Sequence, residues 1–271
     1  LNLHPTPDMH KLKGMLLSSG EGGSTMSVTS EKSKVGALGM GGIGKTVTGA
    51  WLARDEDIRR HFETVLWVTL GQTPDLARMQ SLIYVQVTGQ ELSTETSPEQ
   101  AKELITVAMR DKCVLLILDD VWEEPHEAAL NFVDTSTASK TLVTTRIRGL
   151  GGGTQLELGL PLEADSVQLL LSSAGLADLS PAPAEATEVV QICGRLPLAV
   201  DLAGKMLRDL GLTGADWAGI PKLLRQEMRA SADGDESSVE YRVISASLNA
   251  IPLRDRADAK RVFSVFALVA E

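Results

Sequence analysis

Cysteine is nearly absent: two in 271 residues. Cys113 lies inside an apolar run and Cys193 in a helical pattern, and neither spacing suits a metal site or a disulfide framework. A reducing, cytoplasmic compartment is the expectation. Long hydrophobic runs are missing as well. The longest, Cys113 to Leu118, falls far short of the roughly 20 residues that a membrane helix needs, and no signal peptide is visible. Basic charge is scarce: 26 Lys and Arg stand against 36 Asp and Glu, a net charge of −10. That leaves no broad positive surface for a nucleic-acid backbone. There is no internal repeat of solenoid length. His4, His10, His61 and His126 are scattered and read as surface or packing residues. Trp51, Trp67, Trp122 and Trp217 sit on apolar patterns and read as core. What remains is an acidic chain, 43% hydrophobic, long enough for one large or two modest domains.

The informative stretch is Gly39-Met40-Gly41-Gly42-Ile43-Gly44-Lys45-Thr46, which fits G-x-x-x-x-G-K-[ST]. In that pattern glycines let the backbone curl so that its N–H groups face phosphate oxygens. The lysine reaches the β- and γ-phosphates, and the hydroxyl can ligate Mg²⁺. Context agrees, since Lys34 to Leu38 reads as a buried strand entering the loop and Thr46 to Arg54 as a helix leaving it. Such a helix aims its N-terminus at an anion.

Further strands are expected at Glu63–Leu70, Cys113–Leu118, Lys140–Thr145 and Gln155–Leu158. Helices are expected at Pro74–Val87 and Pro98–Arg110, each opened by a proline. Alternating strands and helices predict an α/β, doubly wound parallel sheet of five strands. Beyond Leu160 the pattern is helical throughout: Glu163–Ala174, Ala184–Cys193, Leu198–Leu210 and Asp216–Met228. Residues 1–33 read as an N-terminal segment with a weak helix and a Gly/Ser/Thr-rich linker from Ser18 to Ser30. Residues 34–159 read as the nucleotide-binding domain and 160–232 as a helical subdomain; an acidic linker, Ser231 to Ser238, leads into a last piece, 233–271. The sequence stops inside an amphipathic pattern, Arg261 to Glu271, as expected of a fragment of a longer protein.

Two more features belong with the loop. Asp119-Asp120 closes the apolar strand, where a carboxylate can hold Mg²⁺ through its water shell. Asp119 is the metal candidate together with Thr46, and Asp120 is the candidate base that orients or deprotonates an attacking water. Thr144-Thr145-Arg146 ends the next strand. In P-loop folds that insert this strand between the loop strand and the acidic strand, its tip faces the γ-phosphate. Arg146 there can tell triphosphate from diphosphate through charge-assisted hydrogen bonds.

The loop Gly39 to Thr46, LLILDDVW at Leu115 to Trp122, TLVTTR at Thr141 to Arg146 and GRLPLAV at Gly194 to Val200 together resemble, in order, the motif set of the NB-ARC domain. This is the STAND-class signalling ATPase of plant resistance proteins and apoptosome-type regulators. The resemblance implies a switch that binds ADP at rest and ATP when active, with slow hydrolysis coupled to domain rearrangement. It implies that Pro197 contacts the adenine, that residues 233–271 begin a winged-helix subdomain, that effector and repeat domains flank this piece, and that the ATP form can self-assemble. The nucleotide-binding candidates are thus Gly39, Met40, Gly41, Gly42, Ile43, Gly44, Lys45, Thr46 and Val47, with Arg146 and Pro197. Residues 1 to 17 lack the arginine that the family commonly places before the loop. A ParA-like ATPase is the alternative, but it requires lysine where this chain has Met40. A GTPase would need an Asn-Lys-x-Asp motif, and a kinase an acceptor site, and neither is found.

Overall fold

A computed structural model describes residues 5–18, 34–39, 41–93, 95–134, 136–150, 154–209 and 217–230. Met40, most of the linker read at Ser18 to Ser30, the acidic linker and the whole winged-helix piece lie outside the described residues. The chain divides into two compact units, the first running from Pro5 to Gly159 and the second taking in the chain from Leu160 onward.

The first unit opens with α1 (Pro7–Leu17), which starts where Thr6 accepts the Met9 N–H and the Met9 sulfur accepts the Thr6 N–H, with Pro7 in the first turn. Met9, Leu12 and Leu16 are buried, so helical spacing puts one apolar face inward. α1 belongs to the same compact unit as the sheet. β1 (Lys34–Leu38), α2 (Lys45–Arg54), α3 (Glu56–His61), β2 (Thr64–Gly71), α4 (Leu76–Thr88), α5 (Pro98–Met109), β3 (Val114–Val121), α6 (Glu124–Leu130), β4 (Lys140–Thr145) and β5 (Thr154–Glu157) complete it.

The five strands form one parallel sheet in the order β2-β3-β4-β1-β5. β3 is buried along nearly its whole length, as a continuous apolar run in a central parallel strand should be. Leu66, Val68, Ile83, Ile105, Met109, Leu116 and Leu118 form a core between the sheet and the helices α4 and α5. On the α2 side Gly49 lets that helix approach the sheet, for a Cβ there would lie 3.1 Å from the Trp67 ring.

Local chemistry moves some boundaries. Pro74 does not open α4, because Asp75 caps it by accepting the Arg78 N–H, which leaves the proline outside the helix. Pro98 does open α5, behind a reciprocal Ser97–Gln100 cap. α3 and α6 were not anticipated from the sequence.

The second unit, described by itself, contains α7 (Glu163–Ser173), α8 (Ala184–Ile192), α9 (Pro197–Asp209) and α10 (Ile220–Ala230). A 3₁₀ turn, Trp217–Gly219, precedes α10, so the single helix expected from Asp216 to Met228 is not formed. Pro221 gives the reason, since without an N–H it is accommodated only in a first helical turn. α7 and α9 cross closely at Gly204, where a Cβ would stand 2.5 Å from that of Ser173.

Candidate functional site

The site lies at the carboxyl end of β1, β3 and β4. Gly39 leaves β1, and the loop turns into α2 through Gly42 and Gly44, the latter at φ +98°, a conformation that a side chain would strain. Gly44 caps α2 without any side-chain bond, so the first N–H groups of that helix face outward. Ile43 is buried and anchors the loop, with its Cγ2 only 2.8 Å from where a Cβ on Gly39 would sit. Thr46 and Val47 are exposed.

Lys45 is 8% exposed, and its ammonium donates to the Gly39 carbonyl at 2.8 Å, closing the loop across its own base. Burial pushes its pKa below the ordinary lysine value and the neighbouring Arg146 adds to this, while Asp120 and Asp119 oppose it. A cation is thus held where an anion would relieve it.

Asp119 is 1% exposed. Its carboxylate accepts from Thr46 Oγ1 at 3.0 and 3.1 Å, from Thr144 Oγ1 at 2.6 Å, and at 3.5 Å from Thr69 Oγ1. The register explains the meeting. Leu118 pairs with Val143, but Val121 pairs with Thr145, so β3 carries one residue more than β4 across this interval. The resulting bulge puts Asp120 at φ +55° and turns its N–H onto Thr144 Oγ1 at 2.9 Å. One hydroxyl thereby fixes both acidic residues. Sequence reasoning named Thr144 only as part of the strand end and gave it no role, because the signal for that role is a strand register rather than a residue pattern.

Arg146 follows β4 and is exposed, with its guanidinium carbon 5.3 Å from the centroid of the Trp122 ring. On its other side lies the loop, where a Cβ on Gly41 would come within 3.1 Å of Nη1. Trp122 is therefore not the core residue expected; it is partly exposed and carries the arginine. Trp51 and Trp67 are also only partly covered, and Trp217 is buried.

Loop, Lys45, Thr46, Asp119, Asp120 and Arg146 thus converge, while Pro197 belongs to the second unit, at the start of α9. Gly194 and Arg195 before it, at φ +60° and +57°, end α8 with Arg195 N–H bonding the Val190 carbonyl at 3.0 Å. Among the described residues no group of three or more His, Cys, Asp and Glu could hold a metal by itself. Thr46 and Asp119 nonetheless supply the hydroxyl and carboxylate oxygens that suit Mg²⁺ when phosphates complete its shell.

A phosphate loop running into a helix, with β4 inserted between the loop strand and the acidic strand, defines a P-loop NTPase. More narrowly, the chain belongs to the NB-ARC domain family, whose domain matches residues 9–166, beginning within α1. Disease resistance protein RPM1 of Arabidopsis thaliana is 24% identical over 249 residues, 85% of this chain and 26% of that protein. A putative disease resistance protein of the same plant is 33% identical over 180 residues, 65% of this chain and 27% of the other. Apoptotic protease-activating factor 1 of Danio rerio is 31% identical over 191 residues, 65% of this chain and 15% of its own length. Among solved structures, a STAND protein with a tetratricopeptide repeat sensor from Pyrococcus horikoshii covers 88% of this chain and 38% of its own, at 17% identity and a TM-score of 0.45. The chain spans about a quarter of the length of the disease resistance proteins described here. Among the described residues no helix is long and apolar enough to cross a membrane.

Proposed function

We propose that this chain is the ADP/ATP-binding switch of a larger signalling protein of the NB-ARC kind, with slow ATP hydrolysis resetting it. The observation that carries the reading is the convergence of a backbone cradle, the Lys45 ammonium, the Thr46–Asp119 pair and the Arg146 guanidinium at one end of the sheet. Each has a part in gripping a nucleotide. The loop amides and Lys45 hold the β-phosphate, and Arg146 engages the γ-phosphate, which only ATP offers. Asp120, which the bulge holds at φ +55°, orients the attacking water in this reading. Bound Mg²⁺, held by Thr46 and Asp119, would neutralise charge on the phosphates.

A switch needs ligands with different affinity for its states, since a ligand of equal affinity shifts nothing. Arg146 supplies the difference within this unit. Contact of Pro197 with adenine, flanking effector and repeat domains, and self-assembly with ATP rest on the family resemblance. A cytoplasmic setting rests on the two free cysteines, Cys113 and Cys193.

The test is the nucleotide released when the purified protein is denatured, together with calorimetry on Lys45→Ala. ADP should copurify, and the variant should bind ADP about 100-fold more weakly, roughly 2.7 kcal/mol. Tight ADP binding by Lys45→Ala would remove the basis of the reading.

A further inference from the structure

Among the groups at this site, Trp122 is a side chain with no chemistry of its own to contribute, yet its place is tightly determined. The bulge ends at Val121, whose carbonyl accepts the Thr145 hydroxyl at 2.7 Å. The next residue on each strand, Trp122 and Arg146, therefore emerges side by side. The guanidinium lies 5.3 Å from the indole centroid, within the roughly 6 Å over which an aromatic face attracts a cation. The indole Nε1 is buried without a hydrogen-bond partner among the described residues, so packing rather than a polar tether seats the ring. Among the described residues the guanidinium makes no ion pair. What holds it toward the loop is the ring face behind it and the close approach at Gly41 in front.

An exposed arginine beside a second cation has every electrostatic reason to swing into solvent. One already held in place surrenders less side-chain freedom when a phosphate arrives. We propose that Trp122 is a positioning residue that holds the Arg146 guanidinium against the phosphate loop, and that it thereby sets how strongly the site prefers ATP over ADP. The proposal rests on the reading of Arg146 as the residue that engages the γ-phosphate.

The experiment measures Mg²⁺-ATP and Mg²⁺-ADP affinities by calorimetry for this chain and for Trp122→Leu, Trp122→Phe, Arg146→Ala and the Trp122→Leu/Arg146→Ala double variant. Trp122→Leu should weaken ATP about tenfold and leave ADP within about twofold. Trp122→Phe, which keeps an aromatic face, should lose only about twofold for ATP. Arg146→Ala should weaken ATP at least as much as Trp122→Leu does, and the leucine substitution should add nothing once the arginine is gone.

Equal weakening of both nucleotides by Trp122→Leu would show a merely structural role and overturn the proposal. So would an unchanged ATP preference in Trp122→Leu alongside a reduced one in Arg146→Ala. If Arg146→Ala itself leaves the preference unchanged, the assignment of Arg146 fails first and takes this inference with it. Should Trp122→Leu not fold, Trp122→Met, which also removes the aromatic face, takes its place, and an unchanged ATP preference there overturns the proposal.

Discussion

Two carboxylates of the first unit are each 1% exposed, and they have opposite uses. Glu127, on α6, sits by the start of β1 and β4. The Lys34 ammonium lies 3.0 Å from it, Asn131 Nδ2 donates to it at 2.8 Å, and the Asn131 oxygen accepts from Thr141 Oγ1 at 2.8 Å. That network is closed, with its charge matched inside the fold. Asp119, at the far end of β3, accepts from hydroxyls, one of them on the exposed Thr46. Hydroxyls rotate, and a metal can replace them as the partner of the carboxylate. Equal burial therefore does not mean equal function; what decides is whether the neighbours complete the charge or leave it available.

Substitutions should separate the two. Glu127→Ala leaves an ammonium and an amide without their acceptor. It should cost about 3 kcal/mol in chemical denaturation, the low end of the range for a broken buried pair because Lys34 keeps 20% exposure. Its nucleotide affinity should stay within about twofold of the parent. A denaturation midpoint that does not move would show that the Lys34–Glu127 network contributes nothing.

Asp119→Asn should behave in reverse. The amide keeps the shape and one acceptor oxygen, so the stability loss should stay under about 1 kcal/mol. The gain in ATP affinity brought by Mg²⁺ should fall by roughly 10- to 100-fold, measured by calorimetry with Mg²⁺ and with a chelator. If instead the asparagine variant is destabilised as much as Glu127→Ala and keeps its Mg²⁺ effect, the contrast between the two ends of the sheet collapses.

That contrast was only half legible in the sequence. The phosphate loop could be read because its geometry demands glycine, lysine and a hydroxyl at fixed spacing. β3 announced itself as an unbroken apolar run, and β4 takes the place between β1 and β3 on which the reading of Arg146 depends. Glu127 gave no signal, for in an acidic stretch it looks solvated, and its partner Lys34 is distant in sequence. The bulge at Asp119 and Asp120 depends on pairing between two separate strands, so no local pattern encodes it. α3 and α6, of six and seven residues, are too short for helical periodicity to register. Trp122 passed for core because an indole on an apolar pattern usually is, and only the neighbouring strand end reveals the cation it faces.

A third carboxylate extends the comparison to α1, with the smallest expected effect. Asp55 caps α3 through the N–H groups of Asp57 and Ile58 and also accepts from Lys13 Nζ at 2.8 Å, while Asp57 takes the same ammonium at 2.6 Å. Burial alone would raise the Asp55 pKa, but the Lys13 ammonium and the two backbone donors outweigh it and hold it below 3.8. Lys13 is held above 10.5, chiefly by its bonds to Asp55 and Asp57. For Asp55 the folded pKa is depressed, so its contribution is complete at neutral pH and is lost as pH falls through the folded value. For Lys13 the folded pKa is raised, so its contribution is complete below 10.5 and disappears only as pH rises through the raised value. The tie between α1 and α3 should thus be constant from about pH 5 to about pH 10 and should loosen first in acid. Hydrogen exchange should show α1 amides losing protection below about pH 4 while β3 amides keep theirs, and Asp55→Asn should remove that acid step. Loss of protection in α1 and β3 together at every pH would mean that the Lys13 tie does not act separately from the sheet.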